Sequence, residues 1–318
     1  MEVKVAISRK VALIMAVEAA AILQLPPPPV VLSAAAKAAA AETDRPRACT
    51  RRCGNISIPY PFGIEPVCFH AGGFNLTCDR SHRLFLGDGT VQVLDISVDP
   101  NATVRINSVV VKFPGGAGGG ARGTWGGALG DGGPYYLAAK RNRLVANYVC
   151  NVHVLLTGDR NQTVSACSAF CNKNRDCETT IWVAGQCSGV GCCQADILVG
   201  RSSYGFQTIK MTNGEAESGG WACVVESELD ADPDQLGMVD PRTLPAVLAW
   251  RINQGTCHGN KSSPACRSRH SFCENITNEY ATIGKEVGHL CHCARGYEGN
   301  PYIPNGCHGN QRVYLKFY

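Results

Sequence analysis

The stretch Asp88-Gly89-Thr90-Val91-Gln92-Val93-Leu94-Asp95-Ile96-Ser97-Val98-Asp99-Pro100 decides the fold class. Val91 and Val93, then Ile96 and Val98, alternate with polar residues, and turn dipeptides stand at both ends. Period-2 alternation rich in β-branched residues is the pattern of a strand with one buried face. Val104, Ile106 and Val110 repeat it, as do Val152, Val154 and Leu156, and no long helical stripe crosses residues 49–113. The expectation is a mainly β, disulfide-rich protein.

Outward from this segment, the cysteines set the compartment. All 18 lie after residue 48 in a chain of 318 residues, about one in fifteen of the later positions. An even number at that density implies a disulfide framework in an oxidising compartment and excludes an ordinary cytoplasmic enzyme. The first 41 residues read as a secretory signal: Lys4, Arg9 and Lys10, an apolar run from Val11 to Leu25, then small residues from Ser33 to Ala41. Beyond them no run of 18 apolar residues occurs, so the processed chain is expected to be secreted without a membrane span. Six Asn-x-Ser/Thr sites, at Asn55, Asn75, Asn101, Asn161, Asn260 and Asn275, point to an N-glycosylated extracellular surface.

The net charge is only +4, with no dense Lys/Arg block, which argues against a nucleic-acid partner. The distribution is uneven: residues 42–150 carry 12 basic and 8 acidic side chains, and residues 151–256 carry 7 and 12. The chain divides into a β-rich front at 42–150 and a cysteine-rich middle at 151–225. An acidic linker with a short apolar segment spans 226–256, a six-cysteine module 257–308 and a tail 309–318. Within the front, residues 115–133 hold eleven glycines and read as a flexible surface loop. The apolar run from Leu244 to Ile252 reads as one or two helical turns. Adjacent Cys192 and Cys193 are expected to take different partners, because a vicinal bridge strains the peptide between them.

In the last module, Cys257, Cys266, Cys273, Cys291, Cys293 and Cys307 leave fifteen pairings open. The gap Cys291-His292-Cys293 followed by Gly296-Tyr297 resembles an EGF-like domain. That resemblance implies Cys257–Cys273, Cys266–Cys291 and Cys293–Cys307, with two small hairpins and little core. A zinc site using His289 and His292 lacks the paired knuckles such sites use, and Asn253-Gln254-Gly255-Thr256 lacks the acidic ligands of calcium-binding modules. No metal and no cofactor are expected.

A second resemblance covers about residues 48–308. Cys49-Thr-Arg-Arg-Cys-Gly-Asn-Ile-Ser-Ile-Pro-Tyr-Pro-Phe-Gly63, with Cys68-Phe69 and Phe74-Asn-Leu-Thr-Cys78, resembles the galacturonan-binding domain of plant wall-associated receptor kinases. Cys187-Ser-Gly-Val-Gly-Cys-Cys-Gln194, Val247-Leu-Ala-Trp-Arg-Ile252 and Gly296-Tyr-Glu-Gly-Asn-Pro-Tyr302 resemble later parts of the same ectodomain. The resemblance implies a pectin partner, chiefly de-esterified homogalacturonan, at the cell wall or the outer face of the plasma membrane. The kinase glycine-rich loop, H-R-D and D-F-G are absent from this sequence, so the expectation is binding without catalysis.

Arginine grips a carboxylate through two parallel hydrogen bonds, so clustered arginines are the candidate contacts for polyuronate. Arg51 and Arg52 lie inside the motif and Arg80 and Arg83 just beyond it, with Lys140, Arg141 and Arg143 as a second basic run. Tyr60, Phe62 and Trp125 are candidates to stack on sugar faces. His70-Ala-Gly-Gly73 has no accompanying G-x-S-x-G, so a pectin hydrolase is unsupported. The alternative function is a protein-interaction module or decoy that pairs with full-length wall-associated receptor kinases through the last module.

Overall fold

A computed structural model describes residues 49–113, 121–129, 132–171, 182–183, 186–187, 189–211, 220–228, 244–258, 262–277 and 286–310. The signal at 1–41, Asn260, most of the acidic linker and residues 311–318 of the tail lie outside them. The described residues form twenty-two strands, β1 to β22 along the chain, and two short 3-10 turns.

Three antiparallel sheets make the body. The first has the order β3 (Leu76–Cys78), β4 (Leu84–Leu86), β5 (Val91–Ser97), β6 (Thr103–Asn107), β18 (Pro245–Trp250) and β9 (Tyr135–Leu137). The second runs β15 (Cys192–Asp196), β10 (Asn142–Asn147), β17 (Trp221–Glu226), β7 (Val110–Lys112). The third runs β12 (Thr163–Ala169), β11 (Val152–Thr157), β16 (Tyr204–Lys210), β8 (Arg122–Trp125). Four hairpins complete the fold: β1 (Arg52–Cys53) with β2 (Ile56–Ser57), β13 (Trp182–Val183) with β14 (Gln186–Cys187), β19 (Ser271–Thr277) with β20 (Glu286–Cys293), and β21 (Tyr297–Gly299) with β22 (Cys307–Gly309). The alternating segments are strands: Val91, Val93, Val104, Ile106, Val154 and Leu156 all point inward.

Three expectations change. Leu244 to Ile252 is not helical, because residues 245–250 form β18, paired with β6 on one side and β9 on the other. A continuous apolar run fits a strand buried on both faces as well as a buried helix, and the neighbouring strands decide. β18 also ties the segment after the acidic linker into the front sheet, so strand pairing crosses the segment boundaries read from composition. The glycine-rich stretch contains β8, whose Trp125 is buried. A Cβ on Gly123 would run into Val111 Cγ1, so this glycine permits close strand packing. Glu226 ends β17 instead of opening a solvated linker, and it pairs with Arg105 at 2.7 Å and Arg141 at 3.7 Å.

The core beneath the first sheet is aromatic. Phe62 meets Phe74 and Trp250 edge-on with ring centroids 5.3 and 5.2 Å apart, and Tyr302 lies 5.4 Å from Trp250. Edge-to-face pairs suit the ring quadrupoles and add to the area buried. The Trp250 indole donates to the Ser97 carbonyl at 3.1 Å, so its one polar atom is satisfied.

Eight disulfides staple the described residues: Cys49–Cys68, Cys53–Cys78, Cys150–Cys171, Cys167–Cys193, Cys187–Cys192, Cys257–Cys273, Cys266–Cys291 and Cys293–Cys307. Cys192 and Cys193 take different partners, pinning β14 and β12 to β15. Cys223 is a buried free thiol.

Candidate functional site

The front hairpin carries the first arginine pair. β1 and β2 exchange Arg52 with Ser57 and Cys53 with Ile56, and Gly54 turns the chain at φ 56°. Arg52 is exposed, and its guanidinium Nη2 donates to the Asn55 carbonyl at 3.1 Å across the turn. Arg51 is half-buried, and its carbonyl accepts from the Ile58 amide at 2.8 Å.

The second pair lies on the turn between β3 and β4. Asp79 organises this turn: one carboxylate oxygen accepts from the amides of Ser81 and Arg83, both at 2.9 Å, and the other accepts the Arg83 guanidinium at 2.8 Å. The Arg83 amide first, then its side chain, hold the Asp79 carboxyl below the usual carboxylate range. Arg83 also lies 5.7 Å from the Phe85 ring centre. It is therefore engaged within its own turn, whereas Arg80 is exposed at the tip.

Two contacts bring the pairs together. Cys53 is bonded to Cys78, which joins β1 to the end of β3. A Cβ on Gly54 would stand 2.8 Å from the His82 carbonyl, so the hairpin turn rests directly on the 79–83 turn. Arg52, Arg80 and exposed His82 thus share one edge. Sequence reasoning could not see this, because the pairing of the first twelve cysteines was open.

The aromatic candidates separate by burial. Phe62 is 0% exposed and Trp125 1%, so neither presents a face to a sugar, and their place in the stacking set is corrected to core. The Tyr-Pro-Phe motif fills the interior. Tyr60 is half-buried against that core, and its carbonyl accepts from Asn300 Nδ2 at 2.7 Å, anchoring the last module to the front. In the second basic run, Arg141 reaches Glu226. Arg143 is half-buried on β10, where desolvation weakens its hold on the proton and Asp196 opposes that effect.

His289 and His292 lie three apart on β20, so they face opposite sides of the hairpin. His289 is buried. Its Nδ1 faces the Gly255 carbonyl at 3.2 Å and its Nε2 the Ser263 hydroxyl at 2.7 Å. A carbonyl only accepts, so Nδ1 carries the proton and the Nε2 lone pair is used by Ser263. His292 lies between two carboxylates, Asp99 at 3.1 Å and Glu274 at 3.2 Å. Among the acceptors of N-glycosylation, Asn55, Asn101 and Asn161 are exposed, while Asn75 and Asn275 are half-buried. Asn275 Oδ1 accepts from the Cys257 amide at 2.7 Å.

Stapled hairpins on an all-antiparallel body, with arginines gathered on one edge, define a disulfide-bonded β domain. Residues 49–108 match the family model described as wall-associated receptor kinase galacturonan-binding. The chain is 30% identical over 280 residues to Wall-associated receptor kinase 2 of Arabidopsis thaliana, covering 82% of this chain and 34% of that protein. Against Wall-associated receptor kinase 3 of the same plant it is 28% identical over 283 residues, covering 81% and 35%. Against Wall-associated receptor kinase 1 it is 27% identical over 275 residues, covering 81% and 34%. The chain spans about a third of the length of these relatives, and no solved structure matches it. The front of this chain is a wall-associated receptor kinase galacturonan-binding domain, and its homologues over most of its length are wall-associated receptor kinases. Among the described residues no helix is long and apolar enough to cross a membrane.

Proposed function

We propose that this chain binds acidic pectin, chiefly de-esterified homogalacturonan, outside the cell at the wall, and that it does so without catalysis. The match of residues 49–108 to a galacturonan-binding family is the observation that carries this reading. The edge shared by Arg52 and Arg80 supports it chemically. Each uronate residue presents one carboxylate, and guanidinium groups on adjoining turns can engage successive sugars bidentately. Arg83 serves as a support, holding the Asp79-capped turn that presents Arg80. Disulfides on both sides of that edge keep the arginines placed before ligand arrives, which lowers the ordering cost of binding.

The test is a titration of the secreted, glycosylated chain against de-esterified and fully methyl-esterified homogalacturonan oligomers at low and high salt. Preference for the free acid, weakened by salt, is expected for recognition by exposed charges. Arg52→Gln combined with Arg80→Gln should weaken binding about tenfold, at up to about 1 kcal/mol per exposed pair. A folded protein that binds neither oligomer overturns the proposal.

A further inference from the structure

The last module carries a second basic, aromatic surface that the front edge does not use. Its turn at residues 267–270 is fixed by the Arg267 and Ser268 amides, which donate to the Pro301 carbonyl at 3.0 and 3.2 Å. The Cys307 amide donates to Ser268 Oγ at 2.9 Å. A neighbouring turn at 294–297 closes with the Tyr297 amide on the Ala294 carbonyl at 2.9 Å, and the Ala294 amide reaches the His270 carbonyl at 2.7 Å. Cys266–Cys291 and Cys293–Cys307 staple the same two turns. The His270 and Tyr297 rings stack there, 4.0 Å apart and 16° from parallel. His270 is exposed, and Phe272, near the start of β19, is 37% exposed.

Three exposed arginines border this strip: Arg267, Arg269 and Arg295. Elsewhere Arg83, Arg105, Arg141 and Arg201 each reach a carboxylate, whereas these three make no ion pair among the described residues. Of the nearest acids in sequence, Glu274 reaches His292 at 3.2 Å, and Glu298 follows Tyr297 on β21, so its side chain leaves by the opposite face, where it accepts from Asn310 at 2.9 Å. Rigid aromatic faces suit the C–H faces of sugar rings, and guanidinium groups suit carboxylates. Acidic peptide would use the arginines but not the stacked rings.

We propose that the turns at 267–270 and 294–297 form a second contact surface for acidic polysaccharide, so that one long polyuronate chain is held at two separate surfaces. The proposal rests on the ligand class proposed for the front edge, and adds a separate site. Two linked contacts raise affinity for a polymer that spans both without altering affinity for one that spans neither.

The experiment uses the full glycosylated chain and two ligands, a short and a long de-esterified homogalacturonan, with polyglutamate as the charge control. Arg267→Gln/Arg269→Gln/Arg295→Gln should weaken long-polymer binding about tenfold while leaving the short oligomer's affinity for the front edge unchanged. His270→Ala should weaken long-polymer binding severalfold and leave polyglutamate unmoved. Long-polymer affinity equal to the parent's in the triple variant overturns the second surface. An equal loss on polyglutamate overturns recognition of the sugar. Failure of the front-edge reading looks different: Arg52→Gln/Arg80→Gln then keeps parental affinity for both oligomers, whatever the module variants do.

Discussion

His292 Nδ1 lies 3.1 Å from Asp99 Oδ1, joining the hairpin of the last module to the turn between β5 and β6 across 193 residues of sequence. The second nitrogen lies 3.2 Å from Glu274 Oε2, and the Cys293 amide adds a bond to Asp99 at 3.4 Å. Both carboxylates only accept, so the ring donates from both nitrogens as the imidazolium. The hydrogen bond to Asp99 raises the His292 pKa above its ordinary value, with burial opposing and both carboxylates adding to it. A raised folded-state pKa means stability that is complete below the unfolded value of about 6.5 and lost as pH rises through the folded one. His289 acts in the opposite sense, since burial lowers its pKa and acid weakens its site. Subtracting His292→Gln from the parent isolates the first effect. The difference in thermal midpoint should be larger at pH 5 than at pH 8, and a pH-independent difference would contradict this.

Asn142 is the internal tie between two sheets. From β10 its Nδ2 donates to the carbonyls of Ala138 and Val247, both at 2.8 Å, and its Oδ1 accepts the Val247 amide at 2.8 Å. Asn142→Leu orphans the buried Val247 amide, while the Val247 and Ala138 carbonyls keep the Ala138 and Arg141 amides. The expected cost is about 1–3 kcal/mol, the range for one orphaned buried group. Denaturant unfolding of the secreted protein measures it.

Replacing both Cys53 and Cys78 by alanine should weaken homogalacturonan binding more than it alters the rest of the fold. The bridge fastens the Arg52 hairpin to the strand leading into the Arg80 turn, so its loss lets the two move apart. Stability should fall by about 2–5 kcal/mol. Removing Cys150–Cys171 is the control, because it perturbs a staple away from the edge. An equal loss of binding in both variants would show that the arginine edge needs no local staple.

Cys223 lies in β17 with no exposed surface, and burial pushes its thiol well above the ordinary range. The thiolate is the reactive form, so the native protein should leave Cys223 unlabelled by iodoacetamide at pH 8 and label it only after denaturation. Peptide mapping by mass spectrometry reads the site directly. Rapid native labelling would place this strand outside the core.

Much of the architecture was legible along the chain because it is local. Alternation at Val91–Val98 and Val104–Ile106 encodes strands, since side chains on a pleat take opposite faces. Cysteine density encodes a stapled, oxidised fold. The ordered motifs from Cys49 to Gly63 and from Gly296 to Tyr302 encode the relationship to wall-associated receptor kinases. The arginine candidates were legible as residue types but not as a site. Their grouping depends on which of twelve cysteines pair, and Arg83 was spent on Asp79 four residues away. Phe62 illustrates the opposite failure: an aromatic residue in a recognition motif reads equally well as ligand platform or core.

The sequence by itself determined the β class, the dense cysteine framework and the relationship to wall-associated receptor kinases, because periodicity, composition and motif order need no knowledge of distant contacts. Only the tertiary structure decided that residues 245–250 form a strand paired on both sides, that Phe62 and Trp250 share a core, and that the turn after Arg52 rests on the turn carrying Arg80. Each depends on pairing between segments tens to hundreds of residues apart. That pairing is selected by the joint burial of apolar faces and by disulfide closure, not by any property of the segment alone.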